Sequence, residues 1–161
     1  MEKNKKNHAL FMQKAISEAK TGIMREQAPF GACIVLKNKA ISSGHNQVWQ
    51  NTDITAQAEL IVIRRACAQL KTINLSGCII YSTCEPCPMC FSACHWSRLS
   101  AVVYGASIKD ARKNGFNELD ISNAQIKRIT KTRIKIIPGI LKKDNLKLFE
   151  FWAKQNKGQI Y

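Results

Sequence analysis

The chain has 161 residues, 45% of them hydrophobic and 22% charged, which fits one folded domain over residues 1–161 and excludes a disordered or fibrous protein. It has no apolar run near the ~20 residues of a membrane span and no signal peptide, so we expect a cytoplasmic protein without a membrane partner. The formal net charge of +14 divides into +5 for residues 1–47, 0 for residues 48–97 and +9 for residues 98–161. We interpret this excess as a solvated lysine-rich face in preference to a nucleic-acid-binding surface.

The spacing of apolar residues predicts alternating helices and strands. The predicted helices cover residues 8–23, residues 54–70, the residues after Glu85-Pro86, and a terminal segment around 146–152 that ends before Gly158. Asp53 or Thr55 could cap the second helix. The predicted strands cover 32–36, 40–46, 78–83, 101–105 and 133–137. The first two strands form a hairpin, and a polar stretch, 107–124, contains the helix-breaking Asn114-Gly115. This order predicts an α/β fold in which helices cover one sheet.

The cysteines indicate a metal site. Seven cysteines without a secretion signal are expected to be thiols and metal ligands and not a disulfide framework. Cys84, Cys87, Cys90 and Cys94 have the spacing of a bacterial iron–sulfur site, but there is one such run only, and Cys94 would lie a full helical turn from Cys87. We therefore favour zinc at Cys87 and Cys90, with buried thiols as the alternative. A catalytic zinc also needs a third protein ligand.

A second motif, Thr55-Ala56-Gln57-Ala58-Glu59, stands thirty residues before Cys87. Zinc deaminases carry H-x-E followed by P-C-x-x-C, and this chain has Q-x-E followed by Pro86-Cys87-Pro88-Met89-Cys90. Further segments occur in the family's order: Pro29-Phe30-Gly31-Ala32, Gly44-His45-Asn46, Ser82-Thr83-Cys84-Glu85 and Val103-Tyr104-Gly105-Ala106. Residues 8–161 resemble the zinc-dependent cytidine and nucleobase deaminase superfamily. Trp96, the 114–118 segment and the terminal Tyr161 most resemble small bacterial guanine deaminases.

The resemblance implies a fold, a reaction and a set of site residues. The implied fold is a three-layer α/β/α arrangement around a central mixed five-stranded sheet, the cytidine deaminase-like fold. The implied reaction is the zinc-dependent hydrolysis of guanine to xanthine and ammonia, with Cys87 and Cys90 as zinc ligands and Glu59 as proton shuttle. Six residues are placed at the substrate: Phe30, Asn46, Ala58, Trp96, Glu118 and Tyr161. Among these, Asn46 would hydrogen-bond the base and Glu118 would accept hydrogen bonds from the guanine edge.

The resemblance also implies a homodimer. In guanine deaminases the C-terminal segment, here about residues 140–161, is exchanged between subunits. Tyr161 would then complete the site of the other subunit. The implied partners are thus a small purine substrate and a second copy of the chain.

Gln57 departs from the family pattern because it stands where the family has a histidine ligand. An amide oxygen is a weaker zinc donor than an imidazole nitrogen. Three hypotheses follow: Gln57 ligates zinc through its carbonyl oxygen, His45 or Cys84 replaces it, or zinc is lost and the protein is a non-catalytic binding protein. The presence of Glu59 and both cysteines favours a working site. A tRNA adenosine deaminase, supported by the charge, and a deaminase of another nucleobase remain alternatives to guanine deamination.

Overall fold

The structure is a computed structural model that describes residues 2–155, 160 and 161, and of residues 2–6 the backbone alone. Within these residues the strands are β1 (Gly31–Leu36), β2 (Lys39–His45), β3 (Ile79–Cys84), β4 (Ala101–Ala106) and β5 (Lys135–Ile137). The helices in the same residues are α1 (Glu2–Met24), α2 (Val48–Asn51), α3 (Ala58–Leu70), α4 (Pro88–Trp96), α5 (Ile108–Lys113), α6 (Asn123–Thr130) and α7 (Lys142–Gln155). None of these helices is both long enough and apolar enough to cross a membrane.

The five strands form one mixed sheet in the order β2-β1-β3-β4-β5. Strand β1 is antiparallel to both β2 and β3, whereas β3, β4 and β5 run parallel. Helices α1 and α7 pack against each other and against the sheet, and α3 packs on β1 and β2 and against α4. The predicted α/β fold with a mixed five-stranded sheet and flanking helices is therefore confirmed.

Side chains of β3 show how the sheet separates its two helical layers. Successive side chains of a strand point to opposite faces. The hydroxyl of Tyr81 lies 2.9 Å from Nδ1 of His8 on α1, whereas the hydroxyl of the next residue, Ser82, donates to Oε1 of Glu59 on α3 at 2.8 Å. The α3 face of β3 is thus polar where it meets the first turn of α3, and this contact positions the site.

The predicted helix over 54–70 begins later, at Ala58. The residues before it form a turn in which Oδ1 of Asp53 accepts hydrogen bonds from the backbone N–H and the hydroxyl of Thr55, at 2.8 and 2.7 Å. The expectation that Asp53 or Thr55 caps the helix was wrong. Gln57 is the N-cap, and its side chain makes no capping hydrogen bond. That side chain is therefore free to point elsewhere.

The polar stretch 107–124 contains more helix than the sequence pattern indicated. Ser107 and Ser122 are N-caps of α5 and α6, each in a reciprocal capping box with the third residue of its helix. The Asn114-Gly115 break ends α5, and Gly115 has a φ of +96°. At the other predicted boundaries, β5 begins at Lys135 instead of residue 133, and α7 ends at Gln155. Gly158, expected beyond the last helix, lies outside the described residues.

A substitution at Gly31 tests the close packing of α1 on β1. A Cβ at Gly31 would lie 2.2 Å from the carbonyl oxygen of Ala15 and 2.5 Å from the backbone nitrogen of Ala19, so the backbone would have to shift. We expect Gly31→Ala to lower the free energy of unfolding by about 3 kcal/mol, the upper part of the range for overpacking. Urea unfolding measures this change.

Gly44→Ala in the neighbouring strand is the matched control. Its Cβ would lie 2.9 Å from Nη1 of Arg65, the end of an exposed side chain that can move away. The loss of stability should therefore be smaller than for Gly31→Ala. Equal losses for the two variants would contradict the packing described for α1.

Candidate active site

One small cavity collects side chains from six parts of the chain, beyond the carboxyl ends of β3 and β4 where α/β sheets bind ligands. Its lining residues are Phe30, Asn46, Gln57, Glu59, Cys84, Glu85, Cys87, Glu118 and Tyr161. Seven of these nine residues were predicted from the sequence as site residues or ligands. An eighth, Cys84, was predicted only as an alternative ligand. The free volume is about 10 Å³, roughly enough for one water molecule.

Two helix N-termini bring the candidate metal ligands into this cavity. Gln57 is the N-cap of α3 and Cys87 is the N-cap of α4, both with extended backbone. Proline at the first position of α4 suits the start of a helix, because its missing N–H would have no partner there. The sulfur of Cys87 accepts a hydrogen bond from the backbone N–H of Cys90 at 3.5 Å. A thiolate at this position is stabilised by the N–H groups of the first turn.

The side chains of Gln57, Cys87 and Cys90 converge on one point. Oε1 of Gln57 lies 3.3 Å from Sγ of Cys87 and 3.2 Å from Sγ of Cys90. Sγ of Cys90 also lies 3.7 Å from Oε2 of Glu59. The glutamine oxygen therefore occupies the third corner of a donor triangle, beside a carboxylate.

This triangle fits a zinc ion in number and position of donors. With bonds of about 2.3 Å to sulfur and 2.1 Å to oxygen, a tetrahedral zinc would hold sulfur and oxygen about 3.6 Å apart, so small outward shifts suffice. The three donors differ in strength as zinc ligands, since two thiolates are strong ligands and an amide oxygen is a weak one. Within the described residues no group of three or more His, Cys, Asp and Glu side chains could hold a metal ion. A third donor beside Cys87 and Cys90 would therefore have to be of another residue type, and the side chain nearest to both sulfurs is Gln57.

The other candidate ligands point elsewhere. Nδ1 of His45 lies 2.7 Å from the carbonyl oxygen of Asn46. The ring packs so closely against Gly22 of α1 that a Cβ there would lie 2.9 Å from Cβ of His45. The hypothesis that His45 replaces Gln57 as a ligand is therefore wrong. Cys84 lines the cavity, but its thiol donates to the carbonyl oxygen of Ser107 at 3.5 Å. Cys94 is fully buried in the hydrophobic core, which also rules out the four-cysteine iron–sulfur arrangement.

The pKa of the Cys87 thiol lies below its ordinary value. The main cause is the hydrogen bond between its side chain and the Cys90 side chain, and the Cys90 backbone N–H acts in the same direction. Burial opposes this lowering without reversing it. Cys87 is therefore the thiol of the pair that ionises first, as a metal ligand must.

Glu59 is a buried carboxyl group, 6% exposed, in the first turn of α3. Burial raises its pKa above the ordinary value, although the hydrogen bond from Ser82 acts to lower it. A carboxyl group whose pKa is moved towards neutrality can both accept and donate a proton near pH 7. Its position beside Cys90 places that ability at the donor triangle.

Of three residues that the sequence analysis placed at the substrate, Asn46 and Phe30 line the cavity and Ala58 does not. The amide of Asn46 is held at both ends: Oδ1 accepts from the backbone N–H of Val48 at 3.1 Å, and Nδ2 donates to the hydroxyl of Tyr161 at 2.6 Å. Phe30 forms part of the cavity wall. Ala58 is fully buried at the start of α3 but is not among the lining residues.

Glu118 enters the cavity from the loop between α5 and α6. Burial raises its pKa to about 7, and the charges of Glu59 and Glu85 act in the same direction. Phe116 of the same loop packs edge-on against Phe30, with ring centroids 4.9 Å apart. An ionised Glu118 would offer two acceptor oxygens in a site that already contains other acidic groups.

Trp96 is not brought into the cavity of its own chain. It is the last residue of α4 and is 81% exposed, because the buried face of that helix is made by Cys90, Phe91 and Cys94. It lines a separate groove with His95 and others, between α4 and α6. Tyr161, by contrast, lies in the cavity of its own chain, and the exchange of residues 140–161 between subunits stays a prediction.

Two residues important to the geometry were missed by the sequence analysis. Ser82 holds Glu59, and strand alternation in the 78–83 run could have placed it on the α3 face. Glu85 was noted only as the start of a helix, yet its carboxylate lies in the cavity wall and accepts backbone hydrogen bonds from Ile108 and Asn123. The capping boxes at residues 107–110 and 122–125 were the sequence signal for those two helix starts.

Comparison with known proteins agrees with this site. The family described as the cytidine and deoxycytidylate deaminase zinc-binding region matches residues 5–106. The guanine deaminase of Bacillus subtilis is 42% identical over 113 residues, 70% of this chain and 72% of the relative. The tRNA-specific adenosine deaminase of Aquifex aeolicus is 40% identical over 114 residues, 68% of this chain and 74% of the relative.

A solved structure of a protein in complex with 2,6-diaminopurine is also similar. It has a TM-score of 0.84 and 26% identity, and the match covers 96% of this chain and 85% of that protein. The matched residues 5–106 include Gln57, Glu59, Cys87 and Cys90. The chain therefore belongs to the cytidine and deoxycytidylate deaminase family, defined by this zinc-binding region.

Proposed function

We propose that this protein is a zinc-dependent purine base deaminase that converts guanine and water to xanthine and ammonia. The observation that carries the proposal is the convergence of Gln57, Cys87 and Cys90 within 3.3 Å, next to the buried carboxyl of Glu59. Zinc held by these three residues, when bound, supplies a Lewis acid that makes a water molecule acidic near neutral pH. This supports the first of the hypotheses for Gln57, ligation through its carbonyl oxygen.

Glu59 would move the proton. Its Oε1 is fixed by the hydroxyl of Ser82, which leaves Oε2 directed at the donor triangle, 3.7 Å from Cys90. From there the carboxylate would accept one proton from the attacking water and deliver it to the ring nitrogen, and would then accept the remaining hydroxyl proton and deliver it to the leaving amino group. The burial that raises its pKa makes the protonated form accessible for the second transfer.

The substrate side suits a purine with hydrogen-bond donors on its edge. Glu118 supplies acceptor oxygens for a ring N–H and an amino group, and Asn46 supplies an amide that can donate and accept. Phe30 provides an aromatic wall. The guanine deaminase of Bacillus subtilis and the protein solved with 2,6-diaminopurine support a purine with a 2-amino group as the substrate.

The cavity must widen before a base can enter. Its free volume of about 10 Å³ has room for about one water molecule and not for a bicyclic base. The side chain of Tyr161 lines the cavity, and its hydroxyl accepts a hydrogen bond from Nδ2 of Asn46 at 2.6 Å. Displacement of this tyrosine, or its exchange with a second copy in a homodimer, would open the site. The exposure of Trp96 and of Ile129, on the neighbouring helices α4 and α6, supports a covering subunit.

Deamination of adenosine in tRNA is the second candidate. Residues 122–143 carry seven Lys and Arg and no Asp or Glu, which would attract a phosphate backbone. The similarity to tRNA-specific adenosine deaminases supports it as well. If RNA is the substrate, binding of a tRNA anticodon stem-loop should weaken steeply with salt, and turnover of free guanine should be negligible. Guanine turnover without measurable RNA binding would contradict this candidate.

The zinc content of the purified protein and of Gln57→His tests the role of Gln57. We expect about one zinc per chain in the natural sequence, bound less tightly than in the variant. Histidine should tighten zinc binding by about tenfold or more, the effect of ~1.4 kcal/mol in ligand strength. Competition with a chromophoric chelator measures both affinities.

Gln50→His, an exposed position on α2, is the matched control and should leave zinc affinity unchanged. Zinc affinity that is equal in the natural protein and in Gln57→His would mean that the amide is no ligand. A protein without zinc or guanine turnover, in which Gln57→His restores neither, would favour the non-catalytic binding protein.

Replacing Glu59 with glutamine tests the proton shuttle. The amide keeps the shape and can accept the Ser82 hydrogen bond, so Glu59→Gln should fold, retain zinc and lose about 10²–10⁴-fold in kcat. Stability should not fall, because a buried group that resists ionisation is replaced by a neutral one. Glu150→Gln on the exposed face of α7 is the control. A kcat for Glu59→Gln within a few-fold of the natural value would exclude the shuttle.

The pH profile tests Glu118. Its pKa of about 7 means that the carboxylate, the form that accepts hydrogen bonds from guanine, is lost as the pH falls through 7. We expect kcat/KM for guanine to fall over that range, since kcat/KM reports the ionisation of the free enzyme. In Glu118→Gln the whole profile should be lower, and the limb near pH 7 should be absent. Persistence of that limb in the variant would assign it to another group.

A further inference from the structure

One buried carboxylate holds the starts of two helices. Glu85, only 5% exposed, follows β3, and its Oε1 accepts the backbone N–H of Asn123 at 2.8 Å while its Oε2 accepts the backbone N–H of Ile108 at 3.2 Å. Ile108 is the first residue of α5 and Asn123 is the first residue of α6. Among the described residues no Lys or Arg forms an ion pair with this carboxylate. Its charge is therefore stabilised by neutral donors alone.

The same contact extends to the turn that leads into the metal site. Nδ2 of Asn123, a fully buried residue, donates to the carbonyl oxygen of Pro86 at 2.6 Å. The backbone N–H of Glu85 donates to the carbonyl oxygen of Ala106 at 2.8 Å. The peptide just before Cys87 is thus tied to both β4 and α6. A shift of α6 would be transmitted to Cys87 through a single hydrogen bond.

The chain between the two helix starts carries Glu118. Because both ends of the 108–123 segment are attached to the two oxygens of Glu85, that carboxylate sets where the segment stands relative to the cavity. Glu118 faces the cavity from the middle of the segment. The Glu85 side chain therefore connects the loop that carries Glu118 to the turn that leads to Cys87.

We propose that Glu85 and Asn123 are positioning residues that hold the loop of Glu118 and the turn of Cys87 in register for zinc-dependent deamination. This inference rests on the proposed function. Neither residue needs to touch the substrate. Their removal should loosen two parts of the site together, the metal and the base-binding loop, whereas loss of an ordinary stabilising contact would lower stability alone.

Glu85→Gln is the first test variant. Glutamine keeps the size of the side chain but has one acceptor oxygen, so its NH₂ group would face one of the two backbone N–H groups. Asp110→Asn is the matched control for zinc affinity, because Oδ2 of Asp110 also accepts a backbone N–H at the start of α5, that of Ser107 at 2.8 Å, and pairs with Lys142, without contacting the turn before Cys87.

Asn123→Ala is the second test variant, for the case that Glu85→Gln does not fold. It removes the donor to Pro86 and also removes a buried carbonyl oxygen that has no partner, so its cost in stability is limited. Asn145→Ala is its control. Asn145 is almost as buried, donates to the backbone carbonyls of Ile140 and Leu141 just before α7 and likewise has an unpartnered Oδ1, but it makes no hydrogen bond to the turn before Cys87.

Three readouts are measured on the full chain: zinc affinity by chelator competition, KM and kcat for guanine, and amide hydrogen exchange of residues 114–122. We expect each test variant to bind zinc about tenfold or more weakly, as for other residues that support metal ligands. KM for guanine should rise in Glu85→Gln, and exchange in 114–122 should accelerate. The controls should match the test variants in loss of stability and show none of these changes.

Unchanged zinc affinity and exchange in folded Glu85→Gln and Asn123→Ala would overturn the proposal. Equal changes in the controls would also overturn it, because they would reduce the two residues to general stabilisers. Hydrogen exchange requires neither zinc nor substrate. A natural protein that binds no zinc would defeat the proposed function, while protection of 114–122 would still decide whether Glu85 holds that segment.

Discussion

The active site depends on the first turns of α3 and α4 facing each other beyond the end of β3. Gln57 and Cys87 are the N-caps of these helices, and the oxygen and the sulfur they present lie 3.3 Å apart. Helix N-termini carry unpaired N–H groups and a partial positive charge, which favour the thiolates that a cation then neutralises. Ser82 on β3 fixes Glu59 against the same point. Gln57, Glu59 and Cys87 take their positions from this meeting of two helices and a strand.

Gln57 changes the chemistry of the site more than its shape. The N-cap position leaves the glutamine side chain without a capping bond, and it extends its amide oxygen to both cysteine sulfurs. A neutral amide oxygen donates less electron density to zinc than an imidazole and has one more side-chain torsion to immobilise. If Gln57 ligates zinc as we propose, we expect weaker metal affinity with retained geometry. The supporting hydrogen bonds of Glu85 and Asn123 gain importance, because a weak ligand set tolerates little displacement of Cys87.

The sequence predicted the sheet, and it singled out the side chains that the structure brings together at Gln57, because these signals are local. Apolar runs marked the strands, and the spacing of Gln57, Glu59, Cys87 and Cys90 marked the site. The contacts of Glu85 with Asn123 could not be predicted, since they join residues far apart in the chain at a place that only the packing of α6 decides. Trp96 is exposed because it lies on the side of α4 opposite to the buried residues, and hydrophobicity alone does not reveal which side that is. The helices α5 and α6 were missed because Asn114-Gly115 and a polar composition outweighed two capping boxes.

X-ray absorption at the zinc edge tests most directly whether Gln57 completes the metal site. We expect zinc to have two sulfur neighbours at about 2.3 Å and oxygen neighbours at about 2.0–2.2 Å, without the more distant scattering of an imidazole ring. In Gln57→His that imidazole scattering should be present. A natural protein whose zinc shows three or four sulfur neighbours, or an imidazole, would contradict the assignment of Gln57 as the third ligand.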